Sequence, residues 1–191
     1  MPTEVHPTRD IDGVELPSAG TWVIDPGHTE AAFIGRHFLL TKIRGRFVKI
    51  DGAVTIDDDP DASSVDVLID MTSVESGDQA RDDHLRSADF FDVEHFPTAR
   101  FRSTDLAWSG TEGRMTGDLA IRDVTRSVTL TVEYLGHVVD PRDNDRAAFS
   151  ASGQLDREDW GLTWNMPLAN GGVIVSKKIE LELNVEAVRQ A

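Results

Sequence analysis

Polar and apolar positions alternate with a period of two along most of this chain. Ile179, Leu181, Leu183 and Val185 alternate with Glu180, Glu182 and Asn184, and Val128, Leu130, Val132 and Tyr134 alternate with Thr129, Thr131 and Glu133. Val65, Val67 and Ile69 form a third row, and Phe149 and Ala151 a weaker fourth. Successive side chains of a strand point to opposite faces, so these rows predict half-buried β-strands. Further strands are predicted near residues 21–25, 29–36, 45–57, 98–108, 114–122 and 172–175. The runs Asp57-Asp58-Asp59-Pro60-Asp61 and Asp140-Pro141-Arg142-Asp143-Asn144 read as turns. Helical signals are few. Ser76 or Asp78 can cap a helix running to about residue 88 with Leu85 and Ala88 on its inner side, and a shorter helix is expected at residues 38–43. No strand–helix–strand spacing occurs, so the pairing is antiparallel. The fold class is all-β, an antiparallel β-barrel of about eight to ten strands with one or two short helices. Residues 1–19 are polar and carry Pro2, Pro7 and Pro17. They read as a loosely attached arm before a barrel domain at 20–191.

Composition narrows the function. A chain of 191 residues supports one good core. The absence of cysteine excludes disulfides, thiolate metal sites and a cysteine nucleophile. A net charge of −15 argues against nucleic acid, whose phosphates require a basic surface. The opening Met1-Pro2-Thr3-Glu4-Val5-His6-Pro7 has no basic segment followed by an apolar run, and no stretch approaches the roughly 18 apolar residues of a membrane span. The expected location is the cytoplasm.

Residues 82–97 are the densest in chemistry, with Phe90, Phe91 and Phe96 among carboxylates, His84 and His95. His84 with Asp82 or Asp83, and His95 with Asp92, have the residue types of a metal site. Neither pair has HxxxH spacing and HExxH is absent, so no metal is expected. There is no Gly-x-Ser-x-Gly elbow and no phosphate loop. The structural reading has the three phenylalanines plugging and bracing the barrel wall while the carboxylates tie the helix to the strands.

Parity assigns the interior. Ala31, Phe33, Phe38, Leu39, Phe47, Val67, Ile69, Phe101, Leu119, Ile121, Phe149 and Ala151 are the predicted tunnel residues, although a register error of one inverts whole rows. Small barrels either pack solid or hold one ligand, and both options stay open. His37 shares the inward parity of Phe33 and is either a contact for a ligand's polar head or a hydrogen-bonded core histidine. Arg36, Lys42, Arg44, Arg46 and Lys49 form a basic stretch without an acid around Phe38-Leu39-Leu40. They form either a collar for an anionic head group or membrane, or outward strand residues paired with acids. Trp164 is the tryptophan expected at the rim.

Several motifs together resemble the YceI-like, polyisoprenoid-binding family. They are Trp22-Val23-Ile24-Asp25-Pro26-Gly27-His28-Thr29 with Phe33, His37 and Arg44-Gly45-Arg46-Phe47; residues 82–97 followed by Phe101-Arg102-Ser103; Gly117-Asp118-Leu119-Ala120-Ile121-Arg122-Asp123-Val124-Thr125; and Asp156-Arg157-Glu158-Asp159-Trp160-Gly161-Leu162. The resemblance spans about residues 20–188. It departs at Asp123, where a glycine is common, and at Lys177-Lys178, where an acid is more usual. It implies a lipocalin-like barrel that binds, stores or transports a long-chain amphiphile without catalysis: a polyisoprenoid, an isoprenoid quinone or a fatty acid or amide, with no other cofactor. Transient membrane-surface contact and a homodimer are left open. A second class is a barrel isomerase or hydrolase of a lipid-like substrate with His37 or His84 as base. A third is a solid-core interaction barrel.

Overall fold

The structure, a computed structural model, describes residues 7–169 and 171–190. Thirteen strands and one α-helix follow in the order β1 (Thr8–Ile11), β2 (Val14–Pro17), β3 (Gly20–Ile24), β4 (Glu30–His37), β5 (Thr41–Phe47), β6 (Ile50–Ile56), β7 (Ser64–Asp70), β8 (Val74–Glu75), α1 (Gln79–Arg86), β9 (Thr98–Ser109), β10 (Glu112–Ile121), β11 (Val124–Val139), β12 (Asp145–Asp156) and β13 (Lys178–Arg189). The pairings are antiparallel. β3 and β4 lie end to end along one edge of β13, through Ala187↔Ile24 and Leu183↔Ala31. β6 and β5 continue that arrangement by pairing with β3 and β4 respectively. The other edge of β13 pairs with β12 from Arg146↔Val188 to Asp156↔Lys178. This closes an eight-stranded barrel of β3/β4, β5/β6, β7, β9, β10, β11, β12 and β13. Closure pairs most strand edges, which limits templating by another chain; the exception is β5, whose far edge meets only Val74 and Glu75 of β8.

Four predicted elements take a different form. The strand expected over residues 45–57 is two strands, because the Val48 and Lys49 amides both donate to Ser73 Oγ (3.2 Å each) instead of continuing the ladder. The segment at 172–175 is a loop that touches the barrel through the isolated bridge His37↔Val175. The helix expected at 38–43 is the tip of the β4–β5 hairpin. Phe38 and Leu39 both have positive φ (53° and 61°) and Leu40 N donates to His37 O (3.0 Å), so the chain reverses where a helix would advance. The arm expected over 1–19 is, from Thr8 to Pro17, a hairpin of β1 and β2. Leu16 of that hairpin is buried, and Ile11 and Val14 pack against the core, while Asp10 and Glu15 stay outward.

Between β8 and β9 the chain leaves the sheet. Asp78 caps α1, its Oδ1 accepting from Arg81 N at 2.9 Å. Arg86 ties the helix to the wall by donating to Thr72 O (3.0 Å) and Val74 O (2.7 Å). Leu85 packs inward as expected, whereas Ala88 is exposed. Phe91 then sets its ring edge-on against Phe47 (5.4 Å between centroids) and Phe33 (6.1 Å), filling the side of the barrel that β8 is too short to cover. Phe96 does not join this plug. It lies half-buried beside the guanidinium of Arg122, 5.7 Å from its ring centre. The departure at Asp123 is neutral for the backbone, since the positive φ of that turn falls on Arg122 (55°).

Candidate functional site

The barrel is hollow. Leu181, Leu183 and Val185 point inward from β13 yet keep partial exposure, because they face space rather than side chains. That space is two chambers. The upper one, about 400 Å³, lies toward the β4–β5 tip and α1. The lower one, about 190 Å³, ends at the β1–β2 hairpin, where Arg9, Leu16 and Pro17 line it. Ala31, Ile69, Leu119 and Leu183 line both, so the chambers meet at a waist.

Glycine explains why aromatic side chains leave room. A Cβ on Gly45 would fall 2.3 Å from Phe33 Cζ, and one on Gly117 would fall 2.4 Å from Phe101 Cζ. Each ring therefore lies flat over a glycine of a neighbouring strand, against the wall and away from the axis.

Among the predicted tunnel residues, Val67, Phe101, Phe149 and Ala151 line the lower chamber, and Phe33, Phe47 and Ile121 the upper. Ala31, Ile69 and Leu119 stand at the waist. Phe38 and Leu39 line neither chamber: the positive-φ turn carries them outward to 45% and 52% exposure, beside Leu40 at 76%. Of the predicted mouth residues, Arg36, His37 and Trp164 line the upper chamber. Lys42, Arg44 and Arg46 do not. They project from the outer face of β5, and each meets an acid. Lys42 bonds Glu180 (2.9 Å), Arg44 bonds Glu30 (2.7 Å) and Glu182, and Arg46 bonds Glu30 (3.1 Å) and Glu75 (3.2 Å). Arg44, then Arg46, hold the Glu30 carboxyl below its ordinary range. The cross-strand register that puts Arg44 opposite Ile34, and Ile34 opposite Glu180, brings these charges together, so Lys42, Arg44 and Arg46 form outward ion pairs and only Arg36 of the basic stretch reaches the chamber.

The polar groups that do face the upper chamber are mostly engaged with one another. Arg81 Nε donates to Ser76 Oγ (2.8 Å), and Ser76 in turn donates to Asp82. His84 Nε2 bonds Asp89 Oδ2 (2.8 Å), and its ring sits between Phe90 and Trp164 (5.1 and 4.5 Å between centroids). Arg157 is different. It opens a short 3₁₀ turn after β12, capped by Asp156, and is 4% exposed. Its Nε donates to Ser176 O (3.0 Å) and its Nη1 to Leu162 O, while Nη2 is buried with no partner among the described residues. Sequence reasoning missed this residue. An arginine between Asp156 and the pair Glu158-Asp159 looks like one more solvated charge, and only its burial distinguishes it.

Outside the chambers, the described residues hold one cluster with metal-ligand chemistry, Asp25, His28 and Glu186. Its cation is already present. Arg146 Nη1 pairs with Asp25 and with Glu186 (3.3 Å). The Arg146 guanidinium, and next the His28 imidazole, lower the Asp25 carboxyl to about 2.

Fold and interior together define a hollow, lipocalin-like antiparallel barrel. Comparison with known proteins specifies it further: residues 22–187 match the YceI-like domain, and the chain belongs to that family. It is 37% identical over 164 residues to a UPF0312 protein of Pseudomonas paraeruginosa, covering 85% of this chain and 83% of that one. It is 36% identical over the same length and shares to protein YceI of Salmonella newport. Among solved structures, the Campylobacter jejuni YceI protein superposes with a TM-score of 0.69 at 26% identity, over 82% of this chain and 90% of that one. Burkholderia cenocepacia BcnA gives 0.74 at 20% identity, over 86% and 99%. A polyisoprenoid-binding domain from Saccharophagus degradans gives 0.65 at 14%, over 91% and 100%. The last two show a shared fold.

Proposed function

We propose that this protein binds a long-chain amphiphile non-covalently, for storage or transport, with the apolar tail running from the upper chamber through the waist into the lower. The observation that carries this reading is the pair of adjoining chambers walled by inward rows of Val, Leu, Ile, Ala and Phe. Each buried methylene contributes roughly 0.8 kcal/mol, so a long chain needs few polar contacts to be held. A polyisoprenoid-binding neighbour of the same fold supports the ligand class. Entry is at the upper end, between the β4–β5 tip and the loop carrying Trp164, Ile174 and Val175. Phe38, Leu39, Leu40 and Met166 are exposed there and offer an apolar contact with a membrane surface during exchange. Catalysis is not part of the reading, which needs only the burial of an apolar chain; the one hydroxyl among the upper chamber's lining residues, Ser76, donates to Asp82.

Mass spectrometry of an organic extract of the purified protein tests the reading. A long-chain amphiphile in near-stoichiometric amount is expected, and Ala31→Trp, which obstructs the waist, should exchange it for shorter chains. A protein that carries no such molecule and takes none up from prenol or fatty-acid dispersions would overturn the reading.

A further inference from the structure

We propose that Arg157 anchors the ligand's head, and that the head is anionic: a carboxylate or a phosphate. This rests on the amphiphile reading and adds the charge and position of the polar end.

A guanidinium has five N–H donors and is charged at all ordinary pH. Arg157 uses Nε and Nη1 on the carbonyls of Ser176 and Leu162, and leaves Nη2 without an acceptor among the described residues. A buried charge is ordinarily paired, since an unpaired one carries a large desolvation cost. The neighbouring acids do not pair with it. Asp156 accepts from Glu158 N (3.0 Å), and Glu158 bonds Lys177 (2.7 Å). The shortfall is large enough that burial pushes the Arg157 guanidinium below its usual pKa.

The surroundings fit a head group. Arg157 is one of the residues lining the upper chamber, together with Leu155, Leu162, Trp164 and Ile179, and its unpartnered Nη2 is buried behind that apolar lining. An oxyanion at Nη2 would supply the missing acceptor in a water-poor site, where charge-assisted hydrogen bonds are strongest. The other cations lining that chamber already have partners. Arg81 is bonded to Ser76, and Arg36 lies 3.9 Å from Glu180 at the solvent edge. Placing the head here directs the tail down through the waist.

The test uses the delipidated full chain and matched probes that differ only at the head: palmitic acid against hexadecanol, and geranylgeranyl monophosphate against geranylgeraniol. Wild type is expected to bind at least one anionic probe tenfold or more tighter than its alcohol, a difference of about 1.4 kcal/mol. The preferred pair tells carboxylate from phosphate. Arg157→Met should bring the anion down to the alcohol's affinity while leaving the alcohol within twofold, and Arg157→Lys should restore part of the preference. A residue that merely braces the Ser176 and Leu162 carbonyls would weaken acid and alcohol alike. Equal binding of both members of each pair by wild type would overturn the head-group assignment and leave the amphiphile reading standing, and it needs no variant to fold. Preference retained in Arg157→Met would also overturn the assignment. Failure of every probe to bind would overturn both.

Discussion

Arg9 lines the lower end of the interior and Arg157 the upper, and the barrel treats them differently. At the lower end, Arg9 comes from β1 and meets Asp58 (3.2 Å) and the carbonyl of Asp57, so its charge is answered from the β6–β7 turn even though its Nε has no partner. At the upper end, Arg157 has two carbonyls and no carboxylate. The lower arginine helps to fasten the hairpin against the lower end of the barrel. The upper one sits unneutralised where the chamber is larger and the wall is made of loops. The packing follows the same division. Trp22, toward the lower end, is wholly buried and donates its indole N–H to Ser18 O (3.1 Å). Trp164, at the upper end, is half-buried and touches His84 and Phe90 only on one side. The lower end is packed by the β1–β2 hairpin and the upper end is bounded by α1 and the loop carrying Trp164, and both differences follow from that.

The largest effect expected from this contrast is on folding. Trp22→Ala should cost about 3–5 kcal/mol in a denaturant titration, as loss of a fully packed aromatic does. Trp164→Ala should cost less than half of that while speeding release of a bound chain. Equal losses would break the comparison. Next comes the shape of the upper chamber. Gly45→Ala should drive the Phe33 ring off the wall and into the space, cutting affinity for a long-chain fatty acid at least tenfold (about 1.4 kcal/mol) with a smaller change in melting temperature. Unchanged affinity would show that the ring has another place to go.

A third test concerns the wall between the ends. The Asp25 carboxyl lies at about 2 in the folded protein, depressed mainly by Arg146, against roughly 3.9 in the unfolded chain. A depressed carboxyl stabilises the fold above its unfolded value and loses that contribution as pH falls toward its folded one. Wild type should therefore lose stability between about pH 4 and pH 2. Asp25→Asn should be less stable at pH 7 and flatter across that window. An identical slope would remove the Asp25–Arg146 pair from the account. The smallest effect sharpens the contrast of the arginines. Arg9→Met should leave the preference for acid over alcohol unchanged within twofold and cost no more than about 1 kcal/mol, as partly exposed ion pairs do. Loss of the preference in that variant would put the head group at the wrong end.

Much of this is readable before folding. The rows through Ile179–Val185 and Val128–Tyr134 announce inward and outward faces, and parity alone brings Phe33, Val67, Ile69, Phe101 and Leu119 to one interior. Asp78 announces the start of α1. Other features were not legible, each for a reason. Phe38-Leu39-Leu40 reads as a buried helix because nothing local marks two apolar residues for left-handed backbone; the bond from Phe38 N to Ile174 O (2.8 Å), across the chain, holds them there. The basic stretch at 36–49 looks like a surface field because its acids lie outside it, Glu30 and Glu75 on flanking strands and Glu180 and Glu182 some 140 residues away, and all arrive by strand register. Arg157 looks solvated because the acids around it in sequence turn to other partners.

By itself, then, the sequence determined the class of fold, the family and the apolar character of the interior. These follow from alternation and short motifs, which act between neighbours in the chain. Tertiary structure alone decided that the interior is hollow, that β1–β2 packs against one end, and which charges are answered. A cavity, a lid and an unpaired cation are properties of what does not come near, and only the closed barrel sets those distances.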